Sequence, residues 1–350
     1  MAMTPRERWL ALLAGRAPDR IPTDYWATPE FHERFKKDLA CPNDESLWRQ
    51  LDIDRPLVLF PTPRPSPHPD DPDADVWGLR FRAMDYGTGV YQEVAHHPLA
   101  RAESAADVHA FRWPQPEDFD IAPILHATEA NRSYRPVVAC CYEPFLLYAQ
   151  MRGLEQAFMD LVLNPDIADA ALGHLFDIHY EVHRQVFTAC PGQIDITYVA
   201  EDLGSQTGPL ISQEAYRRFL LPNQRKMADL ARAHGIHVFY HTDGAARMFI
   251  PDLLDVVGID VLNPIQWRCP GMDRESLVRD FGRRVAFHGA MDNQYTLPFG
   301  TVDEVAAEVR ENLAIFANAR WICAPCHNIQ AVSPTANIVA MYDTIKEAAS

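Results

Sequence analysis

From residue 135 onward the sequence alternates between short β-branched, apolar runs and longer stretches with helical periodicity. The strand-like runs are RPVVACCYE (135–143), IDITYVAED (194–202), IHVFYHTDG (236–244), IDVLNPIQ (259–266), RVAFHGAMD (284–292) and RWICAPCHN (320–328). Helical stretches follow them: one to about residue 163, a second over 166–189, then 212–234, 245–257, 273–281, 302–317 and 335–348. Strands separated by helices pair in parallel, because each helix carries the chain back to the start of the next strand. Two earlier runs, DRIPTDYW (19–26) and RPLVLF (55–60), bring the strand count to eight. The expected fold is α/β, a (β/α)8 TIM barrel forming a single domain over residues 1–350, with an open doubly wound sheet as the alternative. No GxGxxG turn joins a strand to a helix, which counts against a dinucleotide-binding version.

Two additions to the repeat are expected. Thr4-Pro5-Arg6-Glu7 opens an N-terminal helix, with Thr4 as cap, Trp9, Leu12 and Leu13 on one face, and a stop near Gly15. The Pro- and Asp-rich segment 61–75 is a loop, and residues 76–99 alternate around a turn at Asp85–Gly89, which marks an inserted β-hairpin with His96 and His97 on its surface.

Charge and cysteine usage narrow the function. The chain carries 48 acidic against 32 basic residues, a net charge of −16, with no basic run of the kind that grips a phosphate backbone, so nucleic acid is not an expected partner. No apolar run is long enough to span a membrane, and the charged N-terminus lacks the apolar core of a signal peptide. Seven scattered cysteines without an export signal read as reduced thiols, with Cys140 and Cys141 pointing oppositely into packing rather than forming a bridge. Cytoplasm is the expected compartment. The C-x-x-C-H spacing of Cys323, Cys326 and His327 matches covalent haem attachment, but that attachment follows export, so no haem is expected.

The polar residues fall at the strand ends. Tyr142 and Glu143, Glu201 and Asp202, His241 and Asp243, Asn263 and Gln266, His288 and Asp292, and Cys326, His327 and Asn328 each close a strand. In a barrel these ends converge on one mouth, where barrel enzymes do their chemistry, so an enzyme with a small-molecule substrate is expected. His241 and Asp243, two apart, aim the same way from a strand end. Asp243 is either a helix cap or a ligand, and His241 either a core histidine or a ligand. With Cys326 and His327 beside them they form a set of N, O and S donors that suits zinc with an open position. Glu201 and Asp202 are candidates for acid–base work, and His288 for catalysis or an interior hydrogen bond. Tyr25, Trp26, Tyr142, Glu143, Gln266, Asp292 and Asn328 are the candidates for substrate binding.

Five segments carry a family resemblance: TPRERWLALLAGRAPDRIP (4–22), LGSQTGPLISQEAYRRFLLP (203–222), HVFYHTDGAARMFIPDLLDVVGIDVLNPIQ (237–266), VAFHGAMDNQYTLPFGTVDEV (285–305) and ICAPCHNIQAVSPTANIVAMYD (322–343). Together they resemble the uroporphyrinogen decarboxylase superfamily, whose fold is a (β/α)8 barrel. The superfamily includes haem-pathway decarboxylases and zinc-dependent methyltransferases that work with corrinoid proteins. The decarboxylases carry an Arg-rich RQAGRY segment and a YSD-like Asp; here the region reads IPTDYWATPEFHERF (21–35), without the Arg pair and with Asp24 in other surroundings. The methyltransferases carry His-x-Cys after the fifth strand and Cys after the last. Here these positions read His241-Thr242-Asp243 and Cys326-His327. The resemblance implies a zinc-dependent methyltransferase moving a methyl group from a small methoxy or methylamine compound to a corrinoid. No DxHxxG corrinoid signature is present, so the corrinoid belongs to a partner protein. A homodimer is implied as well. The other readings are a decarboxylase using the same mouth and a non-catalytic ligand-binding barrel.

Overall fold

A computed structural model of the chain describes residues 2–64, 68–87 and 89–348. Its framework is a sheet of seven strands, in spatial order β1 (Leu57–Leu59), β2 (Val137–Tyr142), β3 (Ile196–Ala200), β4 (His237–His241), β5 (Val261–Asn263), β6 (Ala286–Met291) and β7 (Trp321–Pro325). Every neighbouring pair is parallel. Helices follow β2 through β7 and cover the outer face, which is why β6 and β7 are buried at every position and read as unbroken apolar runs.

The sheet curls. Val138, Ile196, Phe239, Val261, Ala286 and Ile322, one from each of β2 to β7, meet in a single cluster with Trp9, Leu12 and Leu13. Side chains from six successive strands reach one another only across a curved inner face. The N-terminal helix Pro5–Leu13 plugs the lower end of that interior, and its start carries the capping box expected from Thr4 and Glu7.

The first expected strand is the main correction to the barrel count. Residues 19–26 form no strand of the sheet; Thr23 and Ala27 make only isolated parallel bridges, to Cys323 and Ile329. The cause is local. Pro22 has no N–H to give, and the Asp24 carboxylate takes the Tyr25 N–H at 2.7 Å and the Trp26 indole N–H at 2.8 Å, pulling the segment out of ladder geometry. On its other side the Asp54 N–H, just ahead of β1, donates to the Thr23 carbonyl.

The hairpin appears as Arg80–Asp85 against Val90–His96, antiparallel, inside the expected span; Thr88 of its turn lies outside the described residues. His97 is half-buried with its Nδ1 2.6 Å from the Gln150 carbonyl, so only His96 is on the surface. In the Pro-rich segment, Thr62–Pro63 pairs with Phe119–Asp120, while residues 65–67 lie outside the described residues. Helices Pro29–Asp38, Asp44–Gln50, Ala105–Ala110 and Ala122–Asn131 were not legible from periodicity. No described helix is long and apolar enough to cross a membrane.

Candidate metal centre

Loops after neighbouring strands bring the acidic and imidazole side chains together. Beyond β3 and β4, Gly204 and Gly244 face each other so closely that a Cβ on Gly244 would meet the Gly204 backbone at 2.5 Å, and Gly244 adopts φ +74°. This contact lets the two loops interlock: the Ala245 N–H donates to the Ser205 carbonyl, and the Asp243 N–H to Asp202 Oδ1 at 3.1 Å. Asp202 and Asp243 are thereby held on one side of His241, whose Nε2 lies 3.7 Å from Asp202 Oδ1 and 3.8 Å from Asp243 Oδ1. From the far side of the mouth His327 Nε2 comes within 3.8 Å of Asp243 Oδ2. One ligand atom each from His241, Asp243 and His327 lies within 4.8 Å of the others.

A polar layer runs beneath this group. His241 is paired in register with Asn263, and the pairing of β5 with β6 continues that line to His288. Each sits two residues beyond a member of the apolar interior cluster (Phe239, Val261 and Ala286), so all three face inward. They form a chain: His241 Nδ1 to Asn263 Oδ1 at 2.6 Å, Asn263 Nδ2 to His288 Nδ1 at 2.7 Å, and His288 Nε2 to Asp24 Oδ2 at 3.0 Å. The Trp26 ring covers it, 5.8 Å from the His241 ring and 5.6 Å from that of His288.

The remaining candidates divide between the mouth and its walls. Gln266 donates from Nε2 to Asp243 Oδ1 at 3.0 Å and accepts the Gly244 N–H at 2.7 Å, so it orients the carboxylate. Glu143 is half-buried at the entrance to the helix Pro144–Arg152 and within the field of Asp202 and Asp243. Glu201 is buried and turned away, accepting the Phe145 and Leu146 N–H groups at 2.7 and 3.1 Å. Cys326 is also buried, its Sγ 3.1 Å from the Ile265 carbonyl, so of the two adjacent donors it is His327 that joins the group. His288 is fully buried behind Asn263. Tyr25 packs against Trp48 with its hydroxyl toward His32, and Tyr142 packs against Phe176 and His179. Asp292 accepts Arg268 Nε at 2.6 Å and the Gln294 and Thr296 N–H groups, which pins the rim, and the Asn328 carbonyl accepts from Gln330 at 3.0 Å. Asn263, one of the strand-end polar residues, and Asp24, for which the sequence alone predicts no site role, join the layer through these hydrogen bonds. The available signal was an asparagine and a histidine two residues past inward-facing apolar positions on adjacent strands.

A cavity of about 640 Å3 opens over the group, lined by Asp243, Gln266 and His327 and by Gln206, Asn293, Gln294, Tyr295, Phe299 and Val332 among others. None of its lining residues among those described is Lys or Arg. Burial raises the Asp243 pKa against the pull of His241 and His327, and the charge of Asp202 adds to the rise. Burial pushes Glu143 up to about 7 against the pull of His241, and the charges of Asp202 and Asp243 add to the rise. Burial and the neighbouring Glu143 push Glu201 well up as well. In all three carboxyls burial favours the protonated form.

The family profile Uroporphyrinogen decarboxylase (URO-D) matches residues 79–348. Among solved structures, a methyltransferase from Methanosarcina mazei superposes with a TM-score of 0.69 at 20% identity, covering 99% of this chain and 100% of that one. A B12-independent methionine synthase from Shewanella sp. W3-18-1 gives a TM-score of 0.43 at 11% identity, covering 94% and 97%. At these identities the likeness concerns the fold. No curated protein matches the chain.

Proposed function

The chain belongs to the uroporphyrinogen decarboxylase (URO-D) family, and from that membership we propose that it is a metal-dependent methyltransferase, taking a methyl group from a small methylated compound to a corrinoid on a partner protein. The observation that carries this reading is the convergence of His241, Asp243 and His327 beside a cavity that no Lys or Arg among the described residues lines. A porphyrinogen bristling with carboxylates needs guanidiniums or ammoniums in its pocket, and this one offers the opposite. The likeness to the Methanosarcina methyltransferase agrees with the choice of branch.

The donor set fits zinc. Bonds of about 2.0–2.2 Å in tetrahedral geometry put donors about 3.4 Å apart, and one atom each from His241, Asp243 and His327 already lies within 4.8 Å of the others, so side-chain adjustments of about an ångström close the set. His241, Asp243 and His327 would hold the ion, which would supply Lewis acidity toward an oxygen or nitrogen of the substrate. The methyl–heteroatom bond breaks with its electron pair staying on the heteroatom, which takes a proton. Glu143, whose raised pKa lets it hold a proton near neutrality, is the candidate to deliver it. Gln266 keeps Asp243 in orientation, and Trp26 excludes water from behind the imidazoles. The reading includes a single (β/α)8 domain with residues 22–28 as its closing stave, a homodimer, and a cytoplasmic location.

Elemental analysis of tag-free protein tests it. Stoichiometric zinc that is lost in His241→Ala is the expected result. Protein that binds no divalent metal, or that releases carbon dioxide from uroporphyrinogen, overturns it.

A further inference from the structure

The hydrogen-bond chain behind His241 has a direction, and Asp24 is its fixed end. Asp24 Oδ2 faces His288 Nε2 at 3.0 Å and Trp26 Nε1 at 2.8 Å, Oδ1 takes the Tyr25 N–H at 2.7 Å, and the Arg55 guanidinium lies 3.6 Å away. A carboxylate only accepts, so the hydrogen shared with His288 is on Nε2. A neutral imidazole then has only a lone pair at Nδ1, and that atom lies 2.7 Å from the Asn263 amide nitrogen, which donates. Asn263 is left presenting its oxygen, 2.6 Å from His241 Nδ1, and an amide oxygen only accepts. His241 must therefore carry its hydrogen on Nδ1. Its other nitrogen, Nε2, is the one that faces Asp202 and Asp243.

Free histidine in water favours the opposite tautomer, with the hydrogen on Nε2. Here the arrangement is held away from bulk solvent: Asp24 is 1% exposed and Asn263 and His288 are 0% exposed, so the links are made between buried groups. Each link costs a buried unpaired polar group if it is turned around.

We propose that Asp24, acting through His288 and Asn263, is a positioning device that locks His241 in its Nδ1–H tautomer and dedicates Nε2 to a cation. The purpose rests on the metal-site reading above, but the tautomer is a property of the metal-free protein. On this proposal His288 is a positioning residue, one step removed from the reacting atoms.

The test uses the full-length chain labelled with 15N-histidine. Long-range 1H–15N correlation of the apoprotein reads the tautomer of each ring, and zinc competition against a chromophoric chelator reads affinity. The wild type is expected to show Nδ1–H at His241. Asn263→Leu removes both links and is expected to give a mixed or Nε2–H tautomer, with zinc affinity down by about 10–100-fold, the usual cost of losing a group that orients a ligand histidine. Asn263→Asp keeps an oxygen for His241 Nδ1–H and is expected to retain both the tautomer and most of the affinity. Asp24→Asn, nearly isosteric, guards against a folding defect in Asn263→Leu; its amide can offer either end to His288, so a tautomer mixture is expected. An Nε2–H tautomer in the wild type overturns the proposal, as do Asn263→Leu and Asp24→Asn variants with unchanged tautomer and affinity. A wild type that shows Nδ1–H and takes up no zinc defeats the metal reading and leaves the tautomer lock standing.

Discussion

The two ends of the curled sheet both concentrate charge, and they treat it differently. Below, around the N-terminal plug, Arg8 and Asp54 are 4% and 0% exposed and pair at 2.5 Å. Arg8 also reaches Asp19 at 2.7 Å, and Arg20 takes Asp54 with two nitrogens at 2.7 and 2.9 Å. Burial raises the Asp54 pKa, yet three guanidinium donors and the Thr23 N–H within 3.1 Å make the carboxylate the form that fits. Arg8 and Arg20 answer Asp19 and Asp54, and the other charged residues lining the cavity of about 380 Å3 beside them are paired as well, Arg49 and Arg135 with Glu45 and Asp52 with Lys346. At the mouth, Glu143, Asp202 and Asp243 face two imidazoles, and among the described residues no guanidinium or ammonium lines the cavity. Equal density of charge thus means different things. The lower network is complete and holds the plug in place, whereas the carboxylates of the upper one face imidazoles without a guanidinium partner.

The largest way to break this contrast is at the bottom. Arg8→Met leaves Asp54 and Asp19 short of a buried partner, and losing one member of such a network is expected to cost about 3–5 kcal/mol in urea unfolding. Zinc affinity of the folded fraction should stay at the wild-type value. A loss of under about 1 kcal/mol would place the bottom among ordinary surface pairs. At the mouth the sign reverses. On the proposed function, Asp243→Asn removes a ligand, so zinc affinity is expected to fall by more than the roughly 10–100-fold that a merely supporting residue costs. The same change relieves crowding among carboxylates, so the metal-free protein should unfold no earlier, and up to about 4 °C later. Apo destabilisation comparable to that of Arg8→Met would erase the distinction between the two ends.

The contrast was half legible in the chain. Strand ends that finish in His, Asp, Glu and Asn pointed to the mouth, because a parallel β/α repeat sends all such ends the same way. His241 and Asp243 do converge, although Asp243 lies past the strand end and reaches its place through the Gly204–Gly244 contact rather than through strand alternation. The choice between Cys326 and His327 was beyond sequence, since it depends on which of two neighbouring residues turns into the wall toward Ile265. Asp24 was hidden for a different reason: its partner His288 is 264 positions away, and its segment lacks the unbroken ladder that marks a strand. The lower network was invisible too, since Arg8, Arg20 and Asp54 look like ordinary surface charges until the plug helix places them under the interior.

The smallest expected effect is also the one that sets the two ends directly against each other. Glu143 has its pKa raised from 4.5 to about 7 by burial and by the carboxylates around it, so the folded metal-free protein binds that proton more tightly than the unfolded chain. Its contribution to stability is fully present below about pH 4.5 and is lost as pH rises through about 7. Asp19 is held down to about 2 by its hydrogen bond to Arg8, so its contribution is present above about pH 3.8 and is lost as pH falls through about 2. The mouth therefore tilts stability downward with rising pH and the bottom tilts it upward, in separate windows. Glu143→Gln is expected to flatten the slope between pH 4.5 and 7, a change on the order of 1 kcal/mol for this half-buried group, and to leave the acid limb alone. Asp19→Asn should do the reverse. Zinc binding calls for deprotonated donors, so saturating metal should oppose the mouth's slope, adding more stability as pH rises. Chemical unfolding of metal-free and zinc-loaded protein across this range reads all three. A metal-free protein whose stability is flat from pH 4.5 to 7, or falls identically in Glu143→Gln, would mean that the crowded carboxylates at the mouth are relieved by something other than a cation.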